Sequence, residues 1–353
     1  MKNIVSSCII VIISFISGTP FAQEPVTSRY ATLAIQGDLR EARALLDSPE
    51  VTETATGREL GERFRSRFIE RIEPLSPASG NALIDAIITE YRRYWRSALL
   101  GSQPLNSADA EPEPSIRNAL RSHGWLDDTG VATPNTYPLL ENALQAQGVQ
   151  ALATPAPPLQ DLLVWSTESE AEFEVVLTDQ RRTVSVVFMS DFHSLGWKHY
   201  ASLGLASTTA WVSNGTLYCM ESAYDPGSET FEVSYLKHES RHLADLEQFP
   251  DLSSEDLEYR AKLTELIFAN ETQRSLLDDF TAKRAANPDS PHAAANYRVT
   301  SDLWRELFDS PFPGDDQAWM SIDGRKVSQA ARRLLARHTA ILSASVRTDP
   351  ATP

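Results

Sequence analysis

Cysteine is almost absent from this chain, with two in 353 residues, Cys8 and Cys219. Cys8 sits in a leading segment expected to be removed, which leaves Cys219 alone and excludes an internal disulfide. Stability must then come from packing, even in an oxidising compartment. Positive charge is also scarce: 32 Lys and Arg face 48 Asp and Glu, a formal net charge of -16 at pH 7. The acidity is spread without long blocks, and a surface of that sign repels phosphate backbones, which argues against nucleic acid as a partner. No apolar run reaches the roughly 20 residues that a membrane span requires.

What the first residues do have is the pattern of a targeting signal. Lys2 supplies a positive start, residues 4–16 are apolar, and Pro20-Phe21-Ala22 offers a cleavage site. The expected products are a signal at residues 1–22 and a mature, periplasmic or secreted chain with no membrane span. Losing Lys2, the one charge in that segment, takes the net charge from -16 to -17.

Residues 27–150 read as helices. Tyr30, Leu33, Ala34, Ala42, Leu45 and Leu46 recur near the helical period, with Gly37 weakening the middle. Leu60, Phe64, Phe68 and Ile72 step by four, and Leu83, Ile84, Ile87, Ile88, Tyr91 and Trp95 form a broader stripe. A Pro- and Ala-rich stretch at 103–115 predicts an exposed connection, and the run at 153–158 a domain boundary. Strand patterns follow. Residues 172–177 and 183–189 flank Thr178-Asp179-Gln180, and 208–212 and 216–221 flank Asn214-Gly215, two hairpin signals. Helical periodicity returns at Glu232, and the tail after 343 is expected to be loose. The predicted class is α+β, mainly helical, with a helical domain at 23–158 and a second domain, carrying a small sheet, at 159–353.

The chemistry lies in His238-Glu239-Ser240-Arg241-His242, an H-E-x-x-H motif. On a helix, residues four apart share a face: with His238 at zero, His242 falls near 40° and Glu239 near 100°. Two imidazoles can thus reach one zinc ion, while Glu239 stands beside a water on that metal. Tyr235, Leu236, Leu243 and Leu246 share this side, so the motif belongs to the apolar face, where a His-Glu-His cluster needs partners.

A catalytic zinc needs a third protein ligand. The metzincin pattern would place Gly and His where Asp245 and Gln248 stand, which excludes that branch. Beyond the Phe249-Pro250 break, Ser253 or Ser254 can cap a second helix carrying Glu258-Tyr259-Arg260-Ala261. Residues 232–266, about a tenth of the chain, thereby resemble the gluzincin branch of the zincin metallopeptidases. The resemblance implies a zincin-like catalytic domain, one Zn2+ per chain held by His238, His242 and Glu258, and Glu239 as general base in peptide hydrolysis by a metal-activated water. Where many gluzincins carry an acidic residue four positions after the third ligand, this chain has Lys262; Asp245 or Glu265 could support a histidine instead. The plain alternative for Glu258 is an i,i+4 salt bridge to Lys262 on a wet face, with Glu255 and Glu265 as other ligand candidates. The resemblance also points to residues 215–221 as an edge strand for an extended peptide, with an interior strand as the alternative. His292 and Tyr297, with Tyr259 as a further choice, are candidate donors to an oxyanion. The aromatic run at 192–200 could line a pocket or form a core corner.

The expected partner is therefore a peptide or protein substrate. Two other functions fit the same residues: a zinc amidase acting on a non-peptide amide, and a helical interaction module with a structural or decayed metal site.

Overall fold

The computed structural model describes residues 11–15, 25–101, 112–126, 136–286, 290–314 and 316–348. Gly37 takes a left-handed turn (φ 83°) and divides the first apolar stripe into α1 (Val26–Ile35) and α2 (Leu39–Leu46). Asp38 caps α2 by accepting from the Glu41 N–H at 3.1 Å. Next come α3 (Pro49–Thr52) and α4 (Ala55–Phe64), continued by a π-helical turn at Arg65–Ile69. Leu60, Phe64 and Phe68 are buried, but Ile72 is 70% exposed, because the π turn and a left-handed Arg71 (φ 59°) break the period before it. α5 (Ala82–Leu100) buries the whole stripe from Leu83 to Trp95, and α6 (Glu113–Ser122) and α7 (Thr136–Gln145) complete the helical half. Most of the connection expected at 103–115, like the cleavage site near Ala22, lies outside the described residues.

One sheet contains β1 (Val11–Phe15), β2 (Gln150–Ala156), β3 (Leu159–Val176), β4 (Arg181–Leu195), β5 (Ala206–Ser213) and β6 (Thr216–Met220). Its order is β1-β5-β6-β4-β3-β2, antiparallel throughout except for the parallel β4–β6 pair. β1, inside the expected signal, pairs with β5. Both hairpins form where the sequence puts them. Asn214 and Gly215 both adopt positive φ (51° and 81°), the conformation that a two-residue turn demands.

The run at 153–158, read as a domain boundary, forms the end of β2 and its turn into β3. Pro155 is tolerated because β2 is an edge strand, where a missing N–H breaks no ladder. The hydrophobic core of the helical half, with Trp95, Leu140 and Leu144, runs on through Ala153, Leu162 and Val164. It ends in α8 (Gly196–Ala201), where Trp197 and Tyr200 of the aromatic run are packed. That run is a core corner. No exposed linker divides the chain at residue 158.

The remaining helices are α9 (His238–Gln248), α10 (Ser254–Phe268), α11 (Gln273–Ala282), α12 (Pro291–Phe308) and α13 (Gly324–Thr348). α13 carries the chain as helix five residues past the point where a loose tail was expected. Leu263, Leu266, Val299, Leu303, Trp319 and Leu334 form the core of this C-terminal group. The fold is α+β and mainly helical. No helix among the described residues is long and apolar enough to cross a membrane.

One buried acid makes the join between the halves sensitive to pH. Asp161, 2% exposed, accepts through Oδ1 from the backbone N–H of Leu162 at 3.0 Å and of Trp197 at 2.7 Å. A Cβ at Gly196 would come within 2.3 Å of that oxygen, so glycine is required there. Burial raises the carboxyl to about 6 from the usual 3.8, against the lowering pull of Trp197 N–H, Lys198 and Leu162 N–H. A raised acid contributes stability that is complete below pH 3.8 and lost as pH rises through about 6. The span is worth about 3 kcal/mol. In Asp161→Asn, which keeps the Oδ1 acceptor, this contribution is gone. Urea unfolding of variant and wild type should show the variant losing about 3 kcal/mol relative to wild type between pH 7 and pH 3.5. A pH-independent difference would refute it.

Candidate metal centre

The approach to the motif is a π-helix, Thr230–Lys237, which passes directly into α9. Phe231, Tyr235 and Leu236 from it, with Ala244 of α9, pack on the sheet face made by Val186, Ala210, Leu217 and Cys219. π-helical segments are rare and concentrate at functional sites. Nothing in the apolar spacing distinguishes one from an α-helix start, so the sequence reading missed it. On the other side of α9 lies α10, begun by Ser253, whose Oγ accepts from the Asp256 N–H at 3.1 Å. Every residue of α10 from Leu257 to Ile267 is buried. That includes Glu258, Lys262 and Glu265, which a solvated helix would leave in water.

Around His238 and His242 the side chains converge. Their Nε2 atoms are 2.9 Å apart, and Glu258 comes within 3.4 Å of His242 and 3.7 Å of His238. Donors about 2.1 Å from one ion at tetrahedral angles stand about 3.4 Å apart, so these atoms have the spacing of ligands to a single metal. His238, His242 and Glu258 form a buried group that could hold a metal ion, their ligand atoms all within 4.8 Å of one another. Among the other ligand candidates, Glu255 faces Arg298 at 3.9 Å and Glu265 is engaged elsewhere.

Glu265 accepts from His238 Nδ1 at 2.7 Å. With a proton on Nδ1 for that bond, Nε2 is the nitrogen that would face a metal. Asp245, the other candidate for this support, is turned away from the histidines and lies between Arg241 (2.8 Å) and Arg260 (2.8 Å). The Lys262 salt bridge to Glu258 is present at 3.9 Å, but on a buried face and not a wet one, with the ammonium also 4.7 Å from the Phe280 ring centroid.

The balance of charge favours a cation. Three buried carboxylates, Glu239, Glu258 and Glu265, surround two imidazoles. Burial lowers His238, but Glu265, then Glu258 and Glu239, outweigh it and bring the ring up to about 9. Glu258 is held well below the usual carboxylate range: burial raises it, and His292, His242 and His238 more than reverse that. Glu239 is raised, chiefly by burial, against the pull of His242 and His238. Both Glu239 oxygens are buried without a hydrogen-bond partner. A carboxylate left so is costly unless a cation or a water meets it.

His292 stands at the edge of the cluster, its Nδ1 2.9 Å from Glu258 and its side chain 47% exposed. On this side the buried group borders an exposed side chain. Tyr297, five residues further along α12, lies about 140° around the helix and is 47% exposed. Tyr259 is committed elsewhere, donating its hydroxyl to Asp302 at 3.1 Å. Of residues 215–221, considered as a substrate-binding edge, 216–220 form β6 between β5 and β4, an interior strand. With the geometry known, comparison with other proteins adds no relative: no family model, curated protein or solved structure matches this chain.

Proposed function

We propose that this chain is a zinc-dependent peptide hydrolase with a zincin-like catalytic unit, exported to the periplasm or beyond the cell. The observation that carries the reading is Glu239: a buried carboxylate with both oxygens unpartnered, beside two imidazoles and a third carboxylate that could share one metal. His238, His242 and Glu258 would hold the ion, and the donor set of two imidazoles and one carboxylate is typical of catalytic zinc. When bound, zinc polarises the scissile carbonyl and makes water a nucleophile near neutral pH. Glu239 takes the proton from the attacking water and returns it to the leaving amine, a general base turned general acid. Glu265 fixes the His238 ring, and the exposed His292 is positioned to meet the substrate.

A second reading, a structural metal, draws on the enclosure: Glu239 and His242 have no exposed surface and Glu258 only 4%. A structural site gives Glu239 no task, which is why hydrolysis is preferred.

Elemental analysis of purified full-length protein, with His238→Ala beside it, tests metal binding. The expected result is about one zinc per wild-type chain and less than about a tenth in the variant. Equal content in both, or none in either, would remove the metal from the reading. Degradation of a fluorescently labelled unfolded protein, measured on the same samples, distinguishes catalytic from structural zinc.

A further inference from the structure

Four arginines gather around α8 in this chain of net charge -16. Arg63 of α4, Arg67 of the π-helical turn after it, and Arg92 and Arg96 of α5 meet around His199 and Tyr200 of α8. Arg67 lies over the Tyr200 ring, its guanidinium carbon 4.8 Å from the centroid, and Arg96 Nε donates to the Tyr200 hydroxyl at 3.0 Å. Arg67 Nη1 also donates to the Tyr200 carbonyl at 2.6 Å, Arg63 to the Leu203 carbonyl, and Arg92 to the Leu75 carbonyl at 2.9 Å. These carbonyls satisfy N–H groups but bring no negative charge.

Among the described residues, one carboxylate is ion-paired to the four. Glu73 takes Arg67 in a two-pronged contact of 2.6 and 2.7 Å. Four guanidinium charges less that one carboxylate leave a surplus of three. Arg92 and Arg96 stand one helical turn apart, where like charges repel. The deepest of the group, Arg96, is 9% exposed, and its Nη2 is buried with no hydrogen-bond partner. An orphaned buried donor, on an arginine that shares Tyr200 with Arg67, points to an acceptor supplied from outside the chain. His199 answers the same field: burial lowers its ring, and Arg67, Arg92 and Arg63 help bring it down to about 4, so it stays neutral near pH 7.

We propose that Arg63, Arg67, Arg92 and Arg96 form a binding site for a small soluble phosphate or phosphate monoester. A planar carboxylate accommodates one guanidinium fork well, whereas a phosphate dianion carries three terminal oxygens and can take forks from several directions. Two helices supply them here. The depth of Arg96 beside the exposed Arg63 suits a compact group that enters from the rim. This site is independent of the metal and of the proposed hydrolysis.

Thermal melts of the full chain in sodium phosphate and in sodium chloride, at matched ionic strength and pH 7, test it. Phosphate at 10 mM is expected to raise Tm by about 3 °C or more, saturably. The double variant Arg63→Gln/Arg92→Gln also gives up the bonds to the Leu203 and Leu75 carbonyls, so its melt in chloride should fall, and the rise in phosphate should disappear. The wild-type comparison decides even if the variant folds poorly. Equal wild-type melts in the two salts would overturn the proposal, as would a rise retained in the folded variant. So would binding to phosphatidic-acid vesicles with no response to free phosphate.

Discussion

Glu239→Gln should keep its zinc and lose about 10²–10⁴-fold of its hydrolytic rate. Glutamine has the shape of glutamate, so the packing of this fully buried side chain is preserved. The amide cannot accept a proton at neutral pH, and proton transfer is the task the proposed mechanism gives the carboxylate, whose two oxygens make no hydrogen bond within the protein. Loss of the charge also removes the cost of burial that raises Glu239, which outweighs the attraction of His242 and His238 that is lost with it. The variant should therefore melt no lower than wild type. Turnover of a labelled unfolded protein, with zinc measured on the same sample, checks this. Retained turnover would end the role of Glu239 as base, whereas lost zinc would make it a ligand.

Asp245→Ala is expected to cost about 3–5 kcal/mol of stability, the scale for removing one partner of a buried ion pair. Asp245 has no exposed surface and stands between two guanidiniums, Arg241 at 2.8 Å and Arg260 at 2.8 Å. Arg241 retains Asp179, at 2.9 and 3.0 Å, but Arg260 would keep no carboxylate among the described residues, only Thr339 at 3.0 Å and a longer contact to His338. Because Arg241 and Asp245 belong to α9 and Arg260 to α10, the variant should also bind zinc more weakly, as Glu258 loses its setting relative to the histidines. Urea denaturation with a parallel zinc titration measures both. A loss under 1 kcal/mol would mean that water reaches the triad.

The residues near the metal cluster were legible to the degree that spacing alone carries them. His238, His242 and Glu239 follow from one helical turn, and the Ser253 cap and the break at Pro250 locate the helix that brings Glu258. The Asn214-Gly215 hairpin was equally plain, because only a few residues adopt positive φ without strain. Burial was not legible. Lys262 looks like a partner on a wet face, and only the packing of α10 among α9, α12 and α13 makes it an interior charge. For the same reason Glu265 and Asp245 could not be told apart: which of them meets His238 depends on how two helices are set against each other. The π-helix at Thr230–Lys237 leaves no mark in composition, and the arginines that meet Tyr200 lie more than 100 residues before it in the chain.

Asp179, at the tip of the β3–β4 hairpin, holds Arg241 on the helix that carries the histidines. Hairpin tips are ordinarily where a chain best accepts extra residues. Here a peptide tag spliced into residues 178–180 would pull on α9 and its two histidines. The Asn214-Gly215 turn is exposed and open around Gly215, so a label attached beside it, with that glycine kept for its positive φ, is the better choice.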